Sequence, residues 1–223
     1  MRPASEIIPL LWKEIRLEWR QRHTFNSLLL YMVSTIWVVY LSFNLQLGQL
    51  SPITWNTLYW IILLFAAINS IGKSFIQERE GQMLYYYTLH SPVGLIFAKI
   101  IYNALLLLLL AFLGLFFYTI LMGLPVQDVS LFGLNVALGC VGFATTLTMV
   151  AGIAAKTQNS STLMAVLGFP VILPMLLMLL KVSKNALDGL DWSASSDELL
   201  TLTAINLIVI SFSYFLFPYL WRS

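Results

Sequence analysis

The sequence predicts an all-α integral membrane protein with six transmembrane helices. Of the 223 residues, 59% are hydrophobic and only 10% are charged, whereas about a quarter of the residues in soluble domains are charged. A bilayer core requires about 20 consecutive apolar residues per helix, and the chain has five stretches of at least that length without a charged residue: 24–72, 100–127, 129–155, 157–180 and 199–221. The unbroken leucine run 105–110 lacks the alternation typical of membrane β-strands.

The boundaries of the six spans follow from these uncharged stretches. The first stretch is long enough for two helices, which the segment 47–52 separates. We therefore expect one transmembrane domain over residues 1–223, with spans at about 25–46, 53–74, 97–122, 130–154, 160–180 and 199–220. The first 24 residues carry charges of both signs and no apolar core followed by a small-residue cleavage site, so we expect the first span to stay as an anchor.

The distribution of basic residues predicts the orientation. With six spans, the connections alternate between the two sides, and all Lys and Arg residues except Lys181 and Lys184 fall on the side of the amino terminus. Cytoplasmic loops of membrane proteins carry the excess of Lys and Arg. We therefore expect both termini to be cytoplasmic.

The amino-terminal segment 5–22 interleaves apolar side chains with charged ones, most of them basic. This pattern predicts an amphipathic helix that lies in the membrane interface. Two interpretations stay open: a simple topology anchor, or an elbow helix that also contacts a cytoplasmic partner.

The fourth span is rich in small residues, and at helical spacing these let neighbouring helices approach closely. The predicted packing residues are Gly139, Gly142, Thr148 and Gly152. They fit either internal helix packing or a dimer seam. The single cysteine, Cys140, lies in the same span, which excludes an internal disulfide and a cysteine metal cluster.

The fifth span contains Pro170 and Pro174, four residues apart. Each proline removes a backbone donor and bends a helix. The pair predicts either a static kink or a hinge beside a transport path.

Several kinds of chemistry are missing from the sequence. The uncharged stretches hold none of the ionisable groups on which ion-coupled carriers depend. Residues 72–74 imitate the end of a phosphate-binding P-loop, but Ala67 stands where that motif requires glycine. We expect no catalytic residue, no metal site and no ATP site in this chain.

A polar stretch, QEREGQMLYYYTLHSP, occupies residues 77–92 between the second and third spans. Acidic residues suit the first turn of a helix, and Glu78 and Glu80 are followed by an apolar, tyrosine-rich face that Pro92 ends. The stretch predicts a short cytoplasmic helix on which a partner protein that supplies energy docks.

This stretch resembles the second cytoplasmic loop of type-2 ABC transporter permeases. The shared pattern is an acidic residue, a glycine, a leucine, a proline turn and a lysine that opens the third span, here Glu78 or Glu80, Gly81, Leu84, Pro92 and Lys99. The pattern often has an acidic residue after the leucine, where this chain has Tyr85. The resemblance implies that the ATPase-docking residues of this coupling helix are Glu78, Arg79, Glu80, Gly81, Leu84 and Tyr85.

Within that class, the chain is similar to haem exporter protein B, the CcmB-type permeases of cytochrome c maturation. The similarity rests on the length, the six spans and the segments 10–22 and 167–177. It implies a type-2 permease fold in the bacterial inner membrane and a homodimer that pairs with separate ATPase subunits. It also implies a haem-handling membrane protein, a small single-span subunit and a periplasmic haem chaperone as further partners.

The resemblance implies a permease subunit for haem delivery or for release of the haem-loaded chaperone. The chain itself would bind no cofactor, because ATP is bound by the partner and haem is handled by the complex. Membrane lipid would surround the chain, and we expect no nucleic acid among its partners. Two alternatives stay open: a type-2 exporter of a lipid, glycan or drug, and a non-transporting membrane scaffold, which would need no coupling helix.

Overall fold

The computed structural model describes residues 3–21, 23–44, 50–76, 91–155 and 160–222, and within these ranges it contains helices and no strand. The helices are α1 (Pro3–Gln21), α2 (His23–Asn44), α3 (Pro52–Ile76), α4 (Pro92–Met122), α5 (Val129–Ala154), α6 (Ser160–Leu187) and α7 (Ser196–Arg222). The 3-10 turn Trp192–Ser195 precedes α7.

Helices α2 to α7 are each long and apolar enough to cross a membrane, which confirms the predicted six-helix, all-α architecture. The largest differences from the predicted bounds have local causes. Helix α4 begins at Pro92 because Ser91 caps it, its side chain accepting a hydrogen bond from the Gly94 amide, and proline suits the first helical position. Helix α6 continues to Leu187, and Lys181 within it is paired with Glu198 of α7.

Helix α5 lies at the centre of the bundle and packs against α3, α4, α6 and α7. About 72% of its apolar window is buried, against 17% for α2 at the periphery. An aromatic cluster fills the space between α3, α4 and α5. Its buried members are Trp55, Tyr59, Trp60, Tyr118, Phe132 and Phe143. Helix α1 does not join this centre and packs mainly on α4.

Candidate functional site

The predicted coupling stretch joins the end of α3 to the beginning of α4. Its six docking residues, Glu78, Arg79, Glu80, Gly81, Leu84 and Tyr85, lie outside the described residues. The described chain ends at Ile76 on one side of the stretch and resumes at Ser91 on the other. Helices α3 and α4 pack against each other, so any force on the stretch acts on two neighbouring spans.

Ser91, where the described chain resumes, is hydrogen-bonded to the amino-terminal helix α1. The Glu6 carboxylate accepts hydrogen bonds from the Ser91 amide at 2.8 Å and from the Ser91 hydroxyl at 2.9 Å. The close packing continues at Gly94, where an added Cβ would lie 3.4 Å from Glu6. Helix α1 is therefore attached directly to the end of the coupling stretch.

Two further carboxylates attach α1 to the spans. Glu14 lies 3.8 Å from the Lys99 ammonium of α4, and Glu18 accepts a hydrogen bond of 2.9 Å from the Phe25 amide at the start of α2. Glu6, Glu14 and Glu18 are spaced by eight and four residues, so they share one side of the helix. This spacing was visible in the sequence, but the sequence alone did not show what the carboxylates bind.

Lys99 is the residue with which the family pattern opens the third span. It lies about two turns inside α4, and its side chain is only 1% exposed. Burying an ammonium group is costly unless an anion lies near it, and Glu14 supplies that anion. Lys99 and Glu14 therefore join α1 and α4 at a buried position.

The four small residues predicted for helix packing all contact other helices of the same chain. A Cβ added to Gly139 would lie 2.7 Å from the Trp60 ring of α3, and one added to Gly142 would meet Met175 of α6 and Asn206 of α7. Thr148 accepts a hydrogen bond of 2.9 Å from Asn103 of α4. At Gly152 an added Cβ would lie 2.8 Å from the Phe217 ring of α7.

Buried asparagine side chains connect the spans. They are missing from the predicted site residues because only ionisable groups were considered within the uncharged stretches. They donate to main-chain or hydroxyl oxygens of a neighbouring helix, as polar groups within hydrocarbon require. The bonds run from Asn56 to the Leu180 carbonyl, from Asn103 to Thr148, from Asn135 to the Leu179 carbonyl and from Asn206 to the Leu138 carbonyl. Isolated polar residues in apolar stretches are the signal that could have found them.

The predicted hinge residues Pro170 and Pro174 lie inside α6, which continues as a helix through both. Both side chains are on the exposed side of the helix. Closer to the carboxyl end of α6, the Ser183 hydroxyl oxygen accepts hydrogen bonds from Trp60 at 2.8 Å and from Asn135 at 2.7 Å. The two prolines therefore lie on the amino-terminal side of a segment held by α3 and α5.

The connection between α6 and α7 is attached to the beginning of α5. The Asp128 carboxylate caps α5 through the Leu131 amide and accepts a hydrogen bond of 2.8 Å from the Trp192 indole. Hydrogen bonds from Ser130, from the Leu131 amide and from Trp192 lower the pKa of Asp128. Among the described residues, no group of three or more His, Cys, Asp and Glu side chains is placed to hold a metal ion.

Comparison with known proteins gives one match. The family model of the CcmB protein matches residues 5–217, which is nearly the whole chain. No curated protein and no solved structure matches it.

The matched region contains the coupling stretch, the α1–α4 junction and all six candidate spans. A local motif could occur by chance, but this match covers the elements that the sequence analysis connected with a permease. The chain therefore belongs to the CcmB protein family and is a multi-pass membrane permease subunit of the haem-exporting ABC system of cytochrome c maturation.

Proposed function

We propose that the chain is one transmembrane permease domain, driven by a separate ATPase subunit that docks on residues 77–91. The observation that carries this proposal is the junction that follows the stretch. Ser91 caps α4 and is bound by Glu6 of α1. A displacement of the docked stretch would therefore reach α4 and α1 together.

The buried contact between Glu14 and Lys99 would make α1 and the first turns of α4 move as one unit. From α4, the movement would pass to α5 through the Asn103–Thr148 hydrogen bond. Helix α5 contacts most of the other spans, so the proposed route reaches the whole bundle without a charged group inside it.

We propose that ATP hydrolysis in this complex supports haem delivery or release of the haem-loaded periplasmic chaperone. The complex would contain two copies of the permease, two ATPase subunits, a haem-handling membrane protein and a small single-span subunit. ATP would be bound by the ATPase and haem handled by the complex. Family membership supports this assignment and a bacterial inner-membrane location. The distribution of Lys and Arg supports cytoplasmic termini.

The first prediction tests the docking stretch with the double variant Glu78→Lys, Glu80→Lys, which replaces two negative charges by two positive ones. Reversing charges at a desolvated interface costs on the order of 2–5 kcal/mol, which is roughly 30- to several-thousand-fold in affinity. The variant should still insert, because it adds positive charge on the side that is already basic. We expect a stable permease that no longer co-purifies with its ATPase.

The control is the double variant Asp188→Asn, Asp191→Asn, which removes two negative charges at exposed positions in the α6–α7 connection without adding Lys to the side predicted to be external. It should retain the ATPase. If the Glu78, Glu80 variant also retains the ATPase and supports full cytochrome c maturation, residues 77–91 are not the docking site.

A further inference from the structure

A cavity of about 490 Å³ lies between α1, α2 and α4. Its size is within the range of about 300–1,000 Å³ typical of small-molecule sites. It is lined by residues of all three helices: Ile15, Glu18 and Trp19 of α1, Phe25 and Asn26 of α2, and Tyr102, Leu105, Leu106 and Leu109 of α4. The Glu18 carboxylate in this lining already accepts a hydrogen bond from the Phe25 amide. Nothing in the proposed coupling route uses this cavity.

The cavity lies beside the beginning of α2 and nearly four turns inside α4. The apolar part of α2 starts at Phe25, and the three leucines belong to the apolar part of α4. Leu105 and Leu109 are each 50% exposed, so the apolar wall continues onto the outer surface of the bundle. In a multi-pass membrane protein, such an opening faces lipid at the level where acyl chains meet head groups.

Helix α1 separates its charges between its two sides. The carboxylates of Glu6, Glu14 and Glu18 face α2 and α4, where they bind the partners described above. Arg16 and Arg20 lie on the exposed side. The opening of the cavity is thus next to an exposed surface of α1 whose charges are positive.

Aromatic residues accompany the arginines on that exposed side. Trp19 lines the cavity and is 74% exposed, and the Arg16 guanidinium lies 5.9 Å from the centre of the Trp12 ring. Arg16 and Trp19 are three residues apart and so are neighbours on the helix surface. Tryptophan is enriched where a membrane meets water, and arginine on the polar side of an amphipathic helix is typical of contact with lipid head groups.

We propose that this cavity binds one anionic phospholipid. One acyl chain lies along Leu105 and Leu109, and the phosphate is held by Arg16, with the Asn26 amide as a further donor. Guanidinium groups bind phosphate with two parallel hydrogen bonds. A lipid whose phosphate charge is not balanced by a head-group cation suits a surface whose exposed ionic groups are arginines. This site is independent of ATPase docking.

The test measures lipid retention by native mass spectrometry of the full-length permease in detergent. Dioleoyl phosphatidylglycerol and dioleoyl phosphatidylethanolamine are added separately. The variant Leu105→Trp fills the cavity from its exposed wall, and Arg16→Gln removes the guanidinium. We expect the unaltered permease to retain one phosphatidylglycerol molecule and each variant to bind it at least about tenfold more weakly, since a hydrogen bond to a charged group contributes about 1.5–3 kcal/mol.

The matched controls are Leu177→Trp, which alters a leucine 66% exposed on α6, and Lys184→Gln, which removes an exposed cation at the other end of the bundle. Both should retain phosphatidylglycerol like the unaltered permease. A second cavity-filling variant, Leu109→Phe, replaces Leu105→Trp if the latter does not elute as a folded protein.

Two results would overturn the proposal. One is equal retention of the two lipids by the unaltered permease, and the other is unchanged phosphatidylglycerol retention in both the cavity-filling and the Arg16→Gln variants. If Arg16→Gln instead loses the ATPase while its lipid retention is unchanged, the exposed side of α1 contacts a protein partner. The docking proposal fails separately, through the Glu78 and Glu80 variant.

Discussion

At the scale of single residues, two glycines of α5 have opposite surroundings. A Cβ added to Gly139 would lie 2.7 Å from two ring atoms of Trp60 and 3.1 Å from Leu179, whereas nothing lies within 4 Å of one added to Gly133. Trp60 cannot simply swing away, because its ring is fully buried and its indole donates to Ser183. Gly139 therefore sets the distance between α5 and α3, and Gly133 does not.

The second prediction compares Gly139→Ala with Gly133→Ala in the permease purified in detergent. Overpacking a well-packed core costs about 1–3 kcal/mol, so Gly139→Ala should lower the temperature at which the permease aggregates. Gly133→Ala should leave that temperature unchanged or raise it slightly, because alanine favours a helix over glycine by about 1 kcal/mol. Equal behaviour of the two variants would show that α3 and α5 can separate at no cost.

At the scale of the element, α6 has two differently constrained parts. Pro170 and Pro174 cannot donate main-chain hydrogen bonds, and they lie on the exposed side of the helix. The part from Leu179 to Ser183 is held by hydrogen bonds from Asn56, Asn135 and Trp60. A bend of α6 would therefore occur at the prolines while the held part stays with α3 and α5.

The third prediction is that Pro170→Ala, Pro174→Ala stiffens this region. Alanine restores two main-chain donors and is favoured over proline inside a helix by about 3 kcal/mol per residue. We expect normal amounts of assembled permease but less mature cytochrome c in the membrane fraction. Leu173→Ala, at an exposed position between the two prolines, is the matched control and should mature cytochrome c normally. Normal maturation in the double proline variant would favour a static kink.

At the scale of the whole molecule, six spans require both termini to lie on one side of the membrane. Because successive connections alternate sides, the α6–α7 connection then lies on the other side of the membrane, where the basic residues are Lys181 and Lys184. Lys181 is paired with Glu198, and Asp188 and Asp191 are exposed nearby. The side predicted to be external thus carries only two of the twelve Lys and Arg residues, in agreement with the positive-inside rule.

The last prediction tests this orientation in sealed spheroplasts. Tags at Met1 and Ser223 should resist external protease, and a protease site inserted beside Gly189, which is exposed in the α6–α7 connection, should be cut. In lysed spheroplasts the protease should cut the terminal tags, which shows that their resistance in intact spheroplasts is due to the membrane. Protection of the Gly189 site in intact spheroplasts would contradict the six-span topology.

The sequence by itself determined the class of protein, the number of spans and the amphipathic α1. These are local properties, since an uncharged stretch of about 20 residues has the length of a bilayer core wherever it occurs. It also placed the docking residues between Glu78 and Tyr85, through resemblance to permeases, and that placement stays a prediction because they lie outside the described residues.

Only the tertiary structure decided which side chains meet. Glu6 and Ser91 are 85 positions apart, and Asn56 and Leu180 are 124 apart. Hydropathy shows that a helix enters the membrane but not how it is rotated, and rotation decides whether Lys99 faces lipid or the Glu14 carboxylate. The cavity beside α1 exists for the same reason, because α1 and α2 leave a gap against α4, a helix that lies beyond α3 in the sequence.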